Sequence, residues 1–221
     1  MKNLYNALLL KKLYQLKQLG FLYTDEKPYT EEQKPLVLPH SLMELRKVAS
    51  RCHLCPLSKY RTKSVFGSGN NNAEIMFIGD FPSSQEDTEG KIALGRSGEL
   101  LQKMIENVLH TPLHSVYITN LIKCYASNPS LYGSFEVNSC HPYLLEEISL
   151  VSPKLIVTLG EQSYQALTKE SHPLEEVRGN MLRYENYTIL PTYHPRFLLR
   201  NPSRKREVFE DLKKVLDFLN R

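Results

Sequence analysis

The 221-residue sequence lacks any long uninterrupted apolar run, and it contains only four cysteines. Its apolar N-terminal stretch, Asn3–Leu10, meets Lys11 and Lys12 before it reaches the length of a signal peptide or a membrane span. We therefore expect a cytoplasmic protein without a membrane segment. Disulfides are not favoured, because no secretory signal precedes the cysteines. The sequence also has no internal repeat and no low-complexity tract.

The chain has no strong excess of charge of one sign, since 28 Lys and Arg stand against 24 Asp and Glu for a formal net charge of +4. This charge is only a weak indication of an anionic partner. Hydrophobic residues at 41% and charged residues at 24% are typical of a soluble globular protein. The length indicates one main domain with an appendage rather than two domains of usual size.

The four cysteines form a Cys-x-x-Cys pair, Cys52 and Cys55, followed by the distant Cys124 and Cys140. A tight pair can present two thiolates to one metal centre, while folding brings two further ligands from remote loops. The alternative is a set of buried reduced thiols that pack as small hydrophobic groups. Spacing alone does not choose between zinc and iron–sulfur, but the long gaps do not fit a zinc ribbon and favour a four-iron cluster.

The N-terminal part of the sequence predicts an amphipathic helix over Leu4–Leu19 and a proline-containing linker over Thr24–His40. A second helix is predicted to begin at Ser41, where Ser41 and Glu44 have the spacing of a capping box. This helix leads directly into the first cysteine pair.

From Ala73 onward, short apolar runs alternate with helical patterns. The predicted strands are Ile75–Ile78, Val116–Thr119, Leu155–Leu159 and Thr188–Leu190. The predicted helices lie near residues 98–109, 136–150, 161–168 and 204–219. This alternation predicts an α/β fold with a mostly parallel central sheet and helices on both faces. We expect this domain to span residues 41–221, after an N-terminal helical extension of residues 1–40.

Polar residues follow the ends of three predicted strands, at Asp80, Asn120 and His194. In an open parallel sheet, ligands bind beyond the carboxyl ends of the strands. Each residue taken singly could serve only to fix a turn. Together, a carboxylate, a carboxamide and an imidazole at one edge of a sheet predict a functional site.

A basic run follows His194 closely and indicates a surface that could hold a phosphate backbone. The alternative is the solvated start of a helix. The run consists of Arg196, Arg200, Arg204, Lys205 and Arg206.

Many sequence blocks between Cys52 and Leu216 occur in the order of a known family. They are Cys52–Cys55, Arg61-Thr62, Val65–Gly67, Glu74–Gly79, Glu86-Asp87, Gly95–Leu101, Tyr117–Asn120, Lys123-Cys124, Arg178-Gly179, Thr192–Pro195 and Leu198–Pro202. With these blocks the chain resembles the family 4 uracil-DNA glycosylases, the iron–sulfur members of their superfamily. The resemblance implies an α/β/α fold, one [4Fe-4S] cluster on the four cysteines, and excision of uracil from DNA.

The resemblance also implies roles for the residues at the strand ends. Asn120 matches the family's reader of the uracil edge, since a carboxamide can both donate and accept a hydrogen bond. His194 would donate to uracil O2, and Asp80 would face the sugar and orient the attacking water. The backbone at Gly79 and Phe81 would line the pocket.

The chain departs from the family pattern within this pocket. Asp80 replaces the usual Glu, and Phe81 occupies a position that is usually small. Ala93 stands where the family has an aromatic platform for uracil. Phe81 would either restore the stacking surface from another side or block the pocket, and Ala93 would admit a larger base.

The resemblance implies a DNA partner that contains uracil or a related deaminated base, and we expect the protein to act as a monomer. The residues expected to contact DNA are Arg178, Arg196, Arg200, Lys205 and Arg206. One alternative is a non-catalytic DNA-binding relative with an altered base pocket. A second is a zinc-stabilised nucleic-acid-binding module, which requires every block match to be accidental.

Overall fold

The structure, a computed structural model, describes residues 2–18, 38–127 and 133–219, with side chains from residue 10 onward in the first of these segments. The chain divides into two units, Met1–Val37 and Leu38–Arg221. Of the predicted linker, Thr24–His40, positions 24–37 lie outside the described residues. Among the described residues, no helix is long and apolar enough to cross a membrane.

The first unit contains helix α1, Lys2–Gln18. The sequence predicts this helix within two residues at its start and one at its end. Two of its described apolar side chains, Leu10 and Tyr14, are 56% and 65% exposed.

The second unit alternates strands and helices. Its helices are α2 (Leu42–Ser50), α3 (Ser84–Glu89), α4 (Gly95–Val108), α5 (Ser134–Val151), α6 (Glu161–Thr168), α7 (Leu174–Val177), α8 (Pro195–Arg200) and α9 (Lys205–Leu219). Its strands are β1 (Ser68–Gly69), β2 (Ile75–Gly79), β3 (Tyr117–Asn120), β4 (Leu155–Leu159), β5 (Leu182–Tyr184) and β6 (Tyr187–Thr192). Short 3₁₀ turns occupy Pro56–Lys59, Leu113–Ser115 and Pro202–Arg204.

The six strands form one sheet in the order β1-β3-β2-β4-β6-β5. The four inner strands are parallel, while β1 and β5 pair antiparallel at the two edges. This arrangement confirms the predicted mostly parallel sheet. It also brings the carboxyl ends of β2, β3, β4 and β6 to the same end of the sheet.

The core lies on both faces of the sheet, because successive strand residues point in opposite directions. Ile75 and Phe77 of β2 pack with residues of α4 and α9 in one buried cluster. Met76 and Ile78 pack with residues of α5 and α6 in another. The prediction of helices on both faces is therefore confirmed.

The predicted capping box at the start of α2 is wrong. Ser41 is the N-cap residue, but its side chain makes no capping hydrogen bond. Glu44 instead pairs with Lys47 at 2.7 Å. A complete capping box occurs at α3, where Ser83 Oγ accepts from the Glu86 N–H at 3.3 Å and Glu86 Oε2 accepts from the Ser83 N–H at 2.7 Å.

Candidate active site and cysteine site

Three strand ends converge at Gly79, the last residue of β2. Gly79 pairs with Asn120 in the sheet register. A Cβ atom placed on Gly79 would lie 2.5 Å from Asn120 Oδ1 and 3.5 Å from His194 Nε2. The missing side chain of Gly79 therefore leaves room for the two polar groups that the sequence predicts to act on a base.

The hydrogen bonds of His194 fix its tautomer. Its Nδ1 accepts from the Arg196 N–H at 2.9 Å, so in the neutral ring the proton is on Nε2. Burial, reinforced by the nearby Arg196 cation, lowers the pKa of His194 to about 3. At neutral pH the imidazole is uncharged and offers an N–H donor near Gly79.

Asp80 lies close to His194, because a Cβ atom placed on Gly160 would lie 3.4 Å from Asp80 Oδ2 and 3.5 Å from His194 Cβ. Asp80 is not among the described residues that line the base pocket. Its Oδ1 is buried and has no hydrogen-bond partner among the described residues. Burial raises the pKa of the carboxyl to about 6, although the Arg196 cation and hydrogen bonds from Ser163 act in the opposite direction. The carboxylate therefore has an unused acceptor and titrates close to neutrality.

A pocket lies at this end of the sheet. Asn120 and His194 are among the polar residues that line this pocket, and Phe81 lines it as well. The Arg196 guanidinium lies 4.7 Å from the centroid of the Phe81 ring and donates to the Phe81 carbonyl at 3.3 Å. The other residues that line the pocket are Gly79, Glu86, Ile92, Ala93, Ser97, Gly98, Leu101, Ile118, Leu159, Pro195 and Arg196.

The backbone at Ala93 is fixed by Glu86, a residue to which the sequence analysis assigns no role. Glu86 Oε1 accepts from the N–H groups of Ala93 at 2.6 Å and Leu94 at 3.3 Å. Ala93 has a positive φ of 61°. The Ser83-x-x-Glu86 spacing is the sequence signal that could have identified this residue.

All four cysteines line a second cavity, and all four are free thiols. The described residues contain no group of three or more His, Cys, Asp or Glu side chains placed to hold a single metal ion.

Two donors point at the sulfur atoms of this cavity. Arg61 Nη1 donates to Cys124 Sγ at 3.0 Å, and the Lys123 N–H donates to Cys140 Sγ at 3.4 Å. Burial raises the pKa of Cys140 to about 12 and also raises those of Cys55 and Cys124. Burial therefore favours the protonated thiol over the thiolate at these three cysteines.

The predicted DNA-contacting residues differ in their surroundings. Arg200, Lys205 and Arg206 are exposed and form no ion pair with a described carboxylate. Arg204 also belongs to the basic run and pairs with Glu207 at 2.6 Å.

Arg178 lies in a different environment from the exposed basic residues. Its guanidinium binds Glu207 and Asp211, each at 2.7 Å. Because both partners come from α9, most of its donor capacity is used within the domain.

Comparison with known proteins agrees with this geometry. A family model described as the uracil DNA glycosylase superfamily matches residues 66–215. The chain belongs to this superfamily. The resemblance drawn from the sequence blocks is thereby confirmed, and the matched range contains the three strand ends at the pocket together with Cys124 and Cys140.

Curated relatives of this glycosylase superfamily member are named type-4 uracil-DNA glycosylase. The protein of Saccharolobus solfataricus is 38% identical over 77% of this chain and 82% of its own length. That of Sulfurisphaera tokodaii is 36% identical over 79% of this chain and 83% of its own length. That of Thermotoga maritima is 33% identical over 80% of this chain and 96% of its own length.

Proposed function

We propose that the protein is a DNA repair glycosylase that hydrolyses the N-glycosidic bond of uracil, or of a related deaminated base, in DNA. The observation that carries this proposal is the convergence of Asn120 Oδ1 and His194 Nε2 on the space beside Gly79. The names of the type-4 relatives support the same activity. A target base must leave the duplex stack to enter such a pocket.

In this mechanism, Asn120 reads the base. Its carboxamide offers one donor and one acceptor, which match uracil O4 and N3–H. Asn120 is buried, so a base without the matching edge leaves these polar groups unpaired. Selection among bases therefore follows from hydrogen bonding within the pocket.

His194 and Asp80 stabilise the charges that develop as the bond breaks. The departing uracil becomes negative at O2, where the neutral His194 donates from Nε2. The sugar becomes positive, and the Asp80 carboxylate both stabilises it and orients a water through the unpaired Oδ1. Neither residue needs to change its charge before the base binds at neutral pH.

Phe81 supplies the stacking surface in this proposal. Its ring lines the pocket and contacts the Arg196 guanidinium, which limits its movement. Ala93 also lines the pocket, and its methyl group offers less stacking surface than an aromatic ring. The rival function is a non-catalytic DNA-binding relative, in which Phe81 blocks the base.

For the cysteine cavity, we propose a [4Fe-4S] cluster held by Cys52, Cys55, Cys124 and Cys140. The four cysteines line one pocket, so each iron of such a cluster could take its own cysteine ligand. The cluster would supply a structural cross-link between the loop after α2, the loop after β3 and helix α5. Hydrolysis requires no electron transfer.

The cluster proposal predicts that anaerobically purified protein is brown, absorbs broadly near ~400 nm and carries about four irons per chain. Cys124→Ser is expected to lower the iron content and the melting temperature together. Iron analysis and thermal unfolding measure both. Stoichiometric zinc in native protein with no iron would contradict the proposal.

For DNA binding, we propose that the exposed Arg200, Lys205 and Arg206 contact the phosphates beside the extruded nucleotide. Arg196 serves mainly at the pocket, through Phe81. Arg178, bound to two carboxylates, contributes less to DNA binding than to holding α9 within the domain.

We also propose that the protein is a cytoplasmic monomer. Residues 1–40 form its N-terminal helix and linker, and residues 41–221 form its catalytic domain.

Replacing Arg200 and Lys205 together with Ala is expected to weaken binding to all DNA sequences about equally. The slope of log affinity against log salt should fall by about one unit for each lost phosphate contact. Fluorescence anisotropy at several salt concentrations measures both quantities. Lys154→Ala is the control, because Lys154 is an exposed cation outside the basic run. Unchanged affinity and slope would identify the run as a solvated helix start.

The direct test of function is a base-release assay on oligonucleotides containing uracil, hypoxanthine, xanthine or a thymine mismatch, followed by alkaline strand scission. Release of uracil, or of another deaminated base, is the expected result. Binding of DNA without release of any base would favour the non-catalytic alternative. An Ala93→Phe variant then tests whether the small side chain at position 93 weakens uracil binding.

A further inference from the structure

A buried ion pair lies between the base pocket and the cysteine cavity. Lys123 and Glu147 have side chains that are 2% and 0% exposed, and the Lys123 ammonium binds Glu147 Oε2 directly. The same ammonium donates to Thr119 Oγ1 at 2.7 Å and to the Asn120 carbonyl at 2.7 Å. The pair therefore holds the main chain of the proposed base reader.

The carboxylate of this pair is bound from three parts of the chain. Glu147 Oε1 accepts from the Gly67 N–H at 3.1 Å and from Tyr117 Oη at 3.0 Å. Thr119 Oγ1 lies 3.1 Å from Oε1 and 2.9 Å from Oε2. Helix α5, which supplies Glu147, thereby fixes the end of strand β3 on which Asn120 stands.

The segment that follows Asn120 is fixed as well. The Leu121 N–H donates to the Gly79 carbonyl at 2.8 Å, and the Ile122 N–H donates to the Asp80 carbonyl at 2.9 Å. Lys123 completes this segment by binding back to the Asn120 carbonyl. Loss of its ammonium would remove this side-chain contact with the Asn120 carbonyl.

Stability alone does not account for such a pair. Removing two charges from water costs several kcal/mol per ion, and replacing a buried pair with uncharged groups of similar volume is often neutral or stabilising. The contacts of Lys123 point instead to the placement of its neighbour. A carboxamide that must meet two atoms of a base depends on a fixed backbone.

We propose that Lys123 is a positioning residue for Asn120, and that Glu147 serves as its buried counter-charge. The ammonium fixes the Asn120 carbonyl and the Thr119 hydroxyl, and through them the direction of the Asn120 carboxamide. This inference rests on the proposed glycosylase function, because it assigns Asn120 to reading the base.

The test is the double variant Lys123→Met/Glu147→Gln, which removes both charges and keeps similar side-chain volumes. The glutamine at position 147 can still accept most of the hydrogen bonds that Glu147 accepts. Its melting temperature is expected to stay within a few degrees of wild type, and its iron content should be unchanged. Its preference for DNA containing 2′-fluoro-2′-deoxyuridine over matched undamaged DNA should fall about tenfold, less than the roughly 100-fold cost of a 1 Å misplacement. Single-turnover release of uracil should fall similarly.

A mutant cycle with Asn120→Ala separates positioning from a general structural role. If Lys123 acts through Asn120, Asn120→Ala alone should already lower the preference for the fluorinated DNA. Adding the double substitution to Asn120→Ala should then change that preference very little. Independent, additive losses would overturn the proposal, as would a double variant that retains the wild-type preference. Lys154→Met/Glu74→Gln is the matched control, because that pair is 66% and 55% exposed and should affect neither quantity.

The outcomes also distinguish this inference from the proposed function. A wild-type protein that neither prefers the fluorinated uracil nucleotide nor releases a base would refute the function itself. If the wild-type protein does both, and the losses of binding preference in the mutant cycle are additive, only the role of Lys123 would be refuted.

Discussion

Asp80→Asn is expected to lower single-turnover release of uracil by about 100-fold or more while leaving affinity for DNA near wild type. The amide keeps the shape of the carboxyl but loses the charge that stabilises the cationic sugar. Quench-flow or manual single-turnover assays at saturating enzyme measure the rate, and anisotropy measures affinity. His194→Ala should give a comparable loss of rate. An Asp80→Asn rate within threefold of wild type would remove Asp80 from the mechanism.

The pKa of Asp80 gives this prediction a dependence on pH. Since that pKa is about 6, the wild-type rate should rise with pH through about 6 as the carboxyl ionises. Asp80→Asn should lack this rise. His194, with a pKa of about 3, stays neutral over the same range.

The same shift predicts an opposite effect on stability. The pKa of Asp80 in the folded state, about 6, lies above the ordinary value of an aspartate, so the folded state binds the proton more tightly than the unfolded state. The ionised carboxyl therefore destabilises the fold above about pH 6, and this cost is absent below about pH 4. Asp80→Asn should raise the melting temperature at pH 7.5 and have little effect at pH 4. Thermal unfolding across this range, with activity measured in parallel, tests the trade-off.

Gly79→Ala is expected to lower uracil release by about 100-fold, because the added methyl group would lie 2.5 Å from Asn120 Oδ1 and displace the carboxamide by about 1 Å. The preference for DNA containing 2′-fluoro-2′-deoxyuridine should decline with the rate, since the change acts on base binding. Affinity for undamaged DNA should remain.

Gly133→Ala is the matched control for this substitution. Among the described residues, a Cβ at Gly133 would come within 4 Å of Glu136 Oε2 alone, at 3.8 Å, so both rate and binding should stay near wild type. If Gly79→Ala kept the wild-type rate and preference, Asn120 would not need the space beside Gly79, and its proposed role would fail.

The inner strands and the longer helices were predictable because their apolar patterns are local. Strand β4 matches its predicted range Leu155–Leu159, and helix α6 matches residues 161–168. The short elements β1, β5, α3, α7 and α8 were not predicted, since two to six residues give too little periodicity. The capping box was assigned to Ser41 rather than Ser83 because both positions carry the same Ser-x-x-Glu pattern.

The sequence by itself determined the mostly parallel sheet, the polar residues at its carboxyl edge and the family. These features depend on patterns that recur along the chain or on blocks matched in order. Whether Asn120 and His194 act on a base was not determined in this way and stays a proposal, although their shared strand edge was expected.

Only the tertiary structure decided which polar groups meet across long separations in sequence. It paired Arg178 with two carboxylates of α9, set Arg196 against the Phe81 ring, and joined Lys123 to Glu147 beneath Asn120. The partners in these contacts are 24 to 115 residues apart or lie on different elements, and no local pattern encodes them. The physical reason is that the geometry of side-chain contacts is set by packing of whole helices on the sheet, which the periodicity of any one segment does not specify.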